Sequence, residues 1–217
     1  MDIFFVVDES GSMMMRREWV LQAYNDFFQK QKEICDTLTT TISVYFFNDF
    51  IRTHLHQVPL ADVPLLEFHD YQPMNATALY DALLTVFDDV ETVAVLRPHG
   101  KRLVVVVTDG YNTTGVARAE DLQSRLTAVP VEMVYMGSNQ DAILQGSRVG
   151  SGPGSSLQYT DDRFLDAMTS MTRAVTRMRS GETQTVEFTL MERGVSSGTE
   201  PWSDRESTQS NDVGLLF

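Results

Sequence analysis

The chain has 217 residues and 24.5 kDa, with 42% hydrophobic and 22% charged residues, the composition of one globular domain or of one domain with a small appendage. Lys and Arg total 17 against 30 Asp and Glu, a net charge of −13, so nucleic acid and anionic membrane are disfavoured as partners by repulsion. The one cysteine, Cys35, rules out an internal disulfide and a cysteine-built zinc site. The longest apolar runs, Ile3–Val7 and Leu103–Val107, are too short to span a bilayer. No basic stretch precedes the first, so no secretory signal is expected and the chain reads as cytoplasmic.

In chain order, Ile3–Val7 is a continuous apolar run, as expected of a strand covered on both faces, and it stops at the polar turn Asp8-Glu9-Ser10-Gly11-Ser12. Met13 to about Cys35 follows a helical period through Val20, Tyr24, Phe27, Gln31 and Ile34. Thr41–Phe47 reads as a strand, with Phe50–Leu55 as its antiparallel hairpin partner. Gln57–Gln72, with Pro59 and Pro64, reads as a loop holding at most a short helical turn. Ala78–Ala94 is a helix with Leu79, Leu83, Val86, Val90 and Val93 on one stripe. Leu103–Val107 is a second fully apolar strand, ending at Thr108-Asp109-Gly110.

A helix over about Arg118–Ala128 leads through Pro130 to the strand Val131–Met136; a helical stretch near Ser138–Gln145 and a strand near Leu157–Tyr159 follow. Phe164, Met168, Met171, Val175 and Met178 mark the last core helix, which Gly181 stops. Residues 1–180 therefore form one domain. Residues 181–217 form an extension, in which Val186, Phe188 and Leu190 alternate as a strand before a polar tail. Strands alternating with helices argue for a mostly parallel sheet with helices on both faces and one antiparallel edge strand. In such a sheet the functional crevice lies at the carboxyl ends of the strands.

Both apolar strands end in an aspartate. Asp8 is followed by Ser10 and Ser12, Asp109 stands in Thr108-Asp109-Gly110, and Asn75-Ala76-Thr77 offers a third hydroxyl before a helix. Two carboxylates and three hydroxyls suit a hard cation, Mg²⁺, Mn²⁺ or Ca²⁺, rather than zinc or copper. With so few carboxylates the ion stays incompletely neutralised and attracts an outside oxygen donor, ideally a partner protein's Asp or Glu. No histidine neighbours either aspartate in sequence and there is no G-x-S-x-G elbow, which speaks against a metal-dependent hydrolase.

Three segments carry a family resemblance. Phe4-Phe5-Val6-Val7-Asp8-Glu9-Ser10-Gly11-Ser12-Met13 resembles the opening of a von Willebrand factor type A (VWA) domain, Asn75-Ala76-Thr77-Ala78-Leu79-Tyr80-Asp81-Ala82-Leu83 is similar to its threonine segment, and Val105-Val106-Val107-Thr108-Asp109-Gly110 to its third segment. The resemblance covers about residues 1–180. It implies a Rossmann-like, doubly wound α/β fold and a metal-ion-dependent adhesion site. By family pattern Ser10 and Ser12 coordinate directly, Thr77 directly or through water, and Asp8 and Asp109 mainly through water. Asn75-Ala76 replaces the glycines usual before the threonine. The Met136–Asp141 segment is more similar to bacterial and viral members than to integrins or matrix proteins.

The resemblance implies a non-enzymatic protein-interaction module. The alternative is a structural or assembly subunit, for example of a phage or virus particle. Glu9 reads as a solvent-facing or capping residue. His54 and His56 read as exposed histidines on one face of an edge strand with no third zinc ligand, and Cys35 as a buried small hydrophobe. Met13-Met14-Met15 reads as a helix start flanking the crevice. Gly150–Ser156 lacks the spacing of a phosphate cradle.

Overall fold

The computed structural model describes residues 1–34, 39–138 and 141–199; Cys35, Asn139-Gln140 and the polar tail from residue 200 lie outside them. The strands are β1 (Asp2–Asp8), β2 (Thr41–Phe47), β3 (Ile51–Pro59), β4 (Arg102–Thr108), β5 (Glu132–Ser138) and β6 (Ser156–Tyr159). They form one sheet in the order β3-β2-β1-β4-β5-β6, in which the β2–β3 pair is antiparallel and every other pair parallel. The helices are α1 (Arg17–Lys32), α2 (Leu79–Leu96), α3 (Ala119–Ala128), α4 (Ala142–Arg148), α5 (Phe164–Arg179) and α6 (Leu190–Ser197).

The period-2 pleat sorts the core into two layers. Ile3, Phe5 and Val7 of β1 join Phe46, Val105 and Met136 beneath α1 and α5, while Phe4 and Val6 join Tyr45, Val104 and Tyr135 beneath α2, α3 and α4. Both faces of β1 and β4 are thus covered, which is why these strands read as unbroken apolar runs. From the β1–β4 pair the chain order runs to β2 and β3 on one side and to β5 and β6 on the other. The point of reversal lies between the ends of β1 and β4, where Asp8 and Asp109 stand.

Four expectations are corrected. The helix anticipated from Met13 begins as a 3₁₀ turn, Gly11–Arg16, before α1 takes over at Arg17, so Met13 is buried while Met14 and Met15 face outward. The Gln57–Gln72 stretch completes β3 as far as Pro59 and then makes two 3₁₀ turns, Leu60–Asp62 and Phe68–Asp70. His54 and His56 do not share a face. The β2–β3 register jumps from Tyr45↔Thr53 to Val44↔Leu55, so His54 is the extra residue of a bulge. Its ring lies against Phe46 at 5.2 Å, half-buried, whereas His56 Nδ1 stands 3.5 Å from Asp89 Oδ2 on α2, across the sheet.

The fourth concerns the end of the chain. Val186–Leu190 is not a strand: residues 186–189 join no sheet. Val186 and Phe188 are buried in the α1/α5 layer, the Val186 N–H donates to the Glu132 carboxylate, and the Phe188 N–H donates to Gly154 O at 3.0 Å. Leu190 then opens α6, with Thr189 and Glu192 forming a capping box. Glu192 is also gripped by both Arg177 amino groups, at 2.7 and 2.8 Å, which clasps α6 to α5.

Candidate functional site

The crevice starts with Asp8, the last residue of β1. It is wholly buried, and each carboxylate oxygen has a donor: the Ser10 N–H reaches Oδ1 at 2.7 Å and the Thr108 hydroxyl reaches Oδ2 at 2.5 Å. Burial raises the Asp8 pKa to about 6; the hydrogen bonds from Ser10 and Thr108 oppose the rise and the nearby Asp109 charge adds to it. Two buried phenols fix the strand ends themselves. Tyr71 donates to the carbonyl of Asp8, and Tyr159 to the carbonyl of Thr108 at 2.8 Å. Burial pushes both phenol pKa values well above the ordinary range, so both remain donors.

Ser10 and Ser12 turn their hydroxyls into the crevice, 3.0 Å from each other, and Ser12 donates onward to Asp109 Oδ1 at 2.7 Å. Ser10 precedes the 3₁₀ turn, yet its hydroxyl does not cap it. Thr77 stands one residue outside α2, which begins after Ala78. Helix capping, the common reason for serine and threonine at such places, therefore does not account for Ser10 or Thr77.

The Thr77 loop is stitched to both neighbours. Met74 N–H donates to Glu9 O and Gly11 N–H to Asn75 O, each at 2.9 Å, on one side. Thr77 N–H donates to Thr113 Oγ1 at 3.0 Å, and Thr113 N–H returns to Thr77 O at 2.8 Å, on the other. Asn75 sits in the left-handed region at φ 67, a conformation glycine adopts freely and asparagine tolerates, so the loop keeps its turn without the glycine. Gly11 passes so close that a Cβ there would lie 3.3 Å from Asn75 O. The structure thus brings Asp8, Ser10, Ser12 and Asp109 into one hydrogen-bonded set and places Thr77 on the loop bound to both sides of it.

Several residues of the crevice were not anticipated from sequence. Arg16, at the end of the 3₁₀ turn, is buried; its Nη1 pairs with Asp109 Oδ2 and donates to Ser12 O at 3.2 Å, and its Nη2 pairs with Asp161. Ser138 donates to the same Asp161 at 2.7 Å. Burial alone would lower the Arg16 pKa, but Asp109 and Asp161 outweigh it and hold the guanidinium charged. Glu9 is not solvent-facing: it is buried, and its carboxylate accepts from Arg52 at 2.8 Å and from the Gln72 N–H at 2.6 Å, so it braces the loop from behind. Among the described residues no three His, Cys, Asp or Glu side chains converge to hold an ion, so any ion here relies on hydroxyl oxygens. Around the crevice Met14, Met15, Phe50, Met74 and Tyr111 are exposed.

No described helix is long and apolar enough to cross a membrane. No curated protein is significantly similar in sequence to this chain. Among solved structures, proximal thread matrix protein 1 from the mussel byssus matches with a TM-score of 0.61 and 20% identity over 82% of this chain and 45% of its own. The same mussel protein with a zinc-occupied adhesion-site motif matches with a TM-score of 0.59 at 18% identity, over 80% of this chain and 45% of that one. The ArnB paralog VWA2 of Sulfolobus acidocaldarius matches with a TM-score of 0.57 and 18% identity, over 80% of this chain and 44% of its own. The present chain thus spans less than half the length of these proteins, and at such identities they share its fold. Domains of this class are generally protein-interaction modules that often use a divalent ion. The von Willebrand factor type A domain model matches residues 2–174, and the chain belongs to that family.

Proposed function

We propose that this chain is a non-enzymatic interaction module that binds a partner protein's Asp or Glu through a divalent cation, Mg²⁺ or alternatively Mn²⁺ or Ca²⁺, held by Asp8, Ser10, Ser12, Thr77 and Asp109. The observation that carries the reading is the linked set Asp8–Ser10–Ser12–Asp109 at the sheet's reversal point, its hydroxyls turned to one another and to carboxylates. The donors are all hard oxygens, which fits such an ion. A bound ion supplies an electrophilic position for an outside carboxylate. The chain's own residues do the rest: Tyr71 and Tyr159 fix the strand ends, Thr108 and the Ser10 amide orient Asp8, and the exposed Met14, Met15, Phe50, Met74 and Tyr111 offer apolar contact around the rim. Among the described residues the crevice set comprises hydroxyls, carboxylates, phenols and a guanidinium, without an imidazole or a thiol.

An assembly subunit is the second reading, and the outward Leu190 and Met191 of α6 favour it. We also propose an intracellular setting, compatible with either role and with a sequence whose single cysteine allows no internal disulfide. Mg²⁺ titration by calorimetry on the wild type, Asp8→Ala and Asp109→Ala tests the site: heat with the wild type and none with the variants is expected. Partner capture that is equal in Mg²⁺ and in chelator would transfer the interface away from the crevice and leave the assembly role.

A further inference from the structure

Arg16 stands where the family's ion chemistry leaves no evident need for a cation. It reaches the crevice because the 3₁₀ turn from Gly11 brings it back over Ser12, whose carbonyl it binds at 3.2 Å. It closes on Asp109 Oδ2 while Ser12 holds Asp109 Oδ1 at 2.7 Å, so both oxygens of that carboxylate are engaged by the protein. Asp161, itself held by Ser138, anchors the other end of the guanidinium. The fork is planar, buried and bound at three acceptors, and is therefore a fixed charge.

Resting on the metal site proposed above, we infer that Arg16 limits the affinity of the site for divalent cations and keeps Asp109 out of direct coordination. The effect is electrostatic and geometric together. A fixed positive charge on a carboxylate that faces the ion opposes the ion's charge, in a buried place where screening is weak. The same contact occupies Asp109 Oδ2, so Asp109 meets the ion through the Ser12 hydroxyl or water. An ion denied a direct carboxylate keeps more of its charge for the partner's carboxylate. Arg16 thus exchanges metal affinity for strength toward the partner, and the residue that does this is a positioning residue.

The test uses the full chain and Mn²⁺ alone, with free Mn²⁺ counted by electron paramagnetic resonance and binding heats by calorimetry. Arg16→Gln is expected to bind Mn²⁺ more tightly by roughly tenfold or more, because a charge is removed and Asp109 is released to coordinate. Arg16→Lys keeps the charge but not the fork and is expected to fall between the wild type and Arg16→Gln. Should Arg16→Gln fold poorly, the comparison of Asp161→Asn with Arg16→Gln/Asp161→Asn carries the same expectation without leaving Asp161 unpaired. Mn²⁺ affinity unchanged or weaker on loss of Arg16, with the wild type still binding, overturns this inference and leaves the site standing. Tightening by Arg16→Lys equal to that by Arg16→Gln overturns it too. Mn²⁺ binding by none of these proteins overturns the site itself, and the inference with it.

Discussion

Replacing Asp8 by asparagine is expected to stabilise the metal-free protein while abolishing its response to metal. Asp8 is fully buried, and its pKa stands at about 6 against the ordinary 3.8. For an acid raised in this way the native state holds the proton more tightly than the unfolded chain. The carboxylate then costs stability at every pH above 6, and the cost disappears as pH falls from about 6 towards 3.8. A rise of that size corresponds to about 3 kcal/mol. Asparagine is expected to remove that cost, because the wild-type contacts leave its amide a partner on each side. The Ser10 N–H still meets a carbonyl oxygen. The Thr108 hydroxyl has a second acceptor in Gly110 O at 3.2 Å, so it turns there and accepts from the new amide.

At pH 8 in chelator, Asp8→Asn should therefore melt above the wild type by up to about 6–12 °C. With Mg²⁺ at about a hundred times the dissociation constant the wild type gains roughly 2.7 kcal/mol and the variant nothing, so the two converge. Lowering the pH in chelator from 8 to about 5 should raise the wild type towards the variant. Differential scanning calorimetry in chelator and in Mg²⁺ reads all three. An Asp8→Asn protein that melts clearly below the wild type in chelator refutes the assignment of Asp8 as a strained, cation-seeking carboxylate.

Thr77→Ala is expected to remove most of the Mg²⁺-induced rise in melting temperature while changing the chelated protein by under about 1 kcal/mol, since the loop is held by backbone bonds; calorimetry checks it. Phe188→Ala, emptying a buried ring position, should cost about 3–5 kcal/mol in urea unfolding, and a marginal effect would place the segment around Val186 and Phe188 outside the cooperative unit. Burial alone would raise the Glu192 carboxyl, but the Arg177 fork outweighs it and holds the pKa below the ordinary 4.5. The clasp thus contributes above pH 4.5 and fades as pH falls below it, so the wild type should be more stable than Glu192→Gln at pH 7, with the gap narrowing as the pH is taken below 4.5.

The strands of the sheet were legible because their signals are local: two apolar runs, each broken by an aspartate and a polar turn, are what a covered strand ending in a loop looks like, and the fold links Asp8, Ser10, Ser12 and Asp109 by hydrogen bonds where those strands end. Where reading failed, the deciding partner was distant or the backbone irregular. The alternation at Val186 and Phe188 is real burial, but among the described residues the segment pairs with no strand, and its backbone bonds go to Gly154 O and the Glu132 carboxylate. His54 and His56 were put on different faces by a bulge in β3 whose extra residue is His54 itself, an event that leaves no mark on composition. Arg16 is the instructive case. Its neighbour Arg17 has the same charge and turns outward onto the Phe68 ring at 3.4 Å, while Arg16 turns inward to an aspartate 93 positions away. Nothing in Met13-Met14-Met15-Arg16-Arg17 separates the two side chains; the 3₁₀ turn does, by ending between them. Counting ligands from sequence therefore gives two aspartates and a dication, whereas the folded crevice holds Asp8, Asp109, Asp161 and Arg16. The three carboxylates and one guanidinium sum to the same −2 as the two aspartates alone, yet a fixed cation now stands on one of the carboxylates facing the ion. The total charge was readable; its distribution, which decides how firmly an ion is held, required the fold.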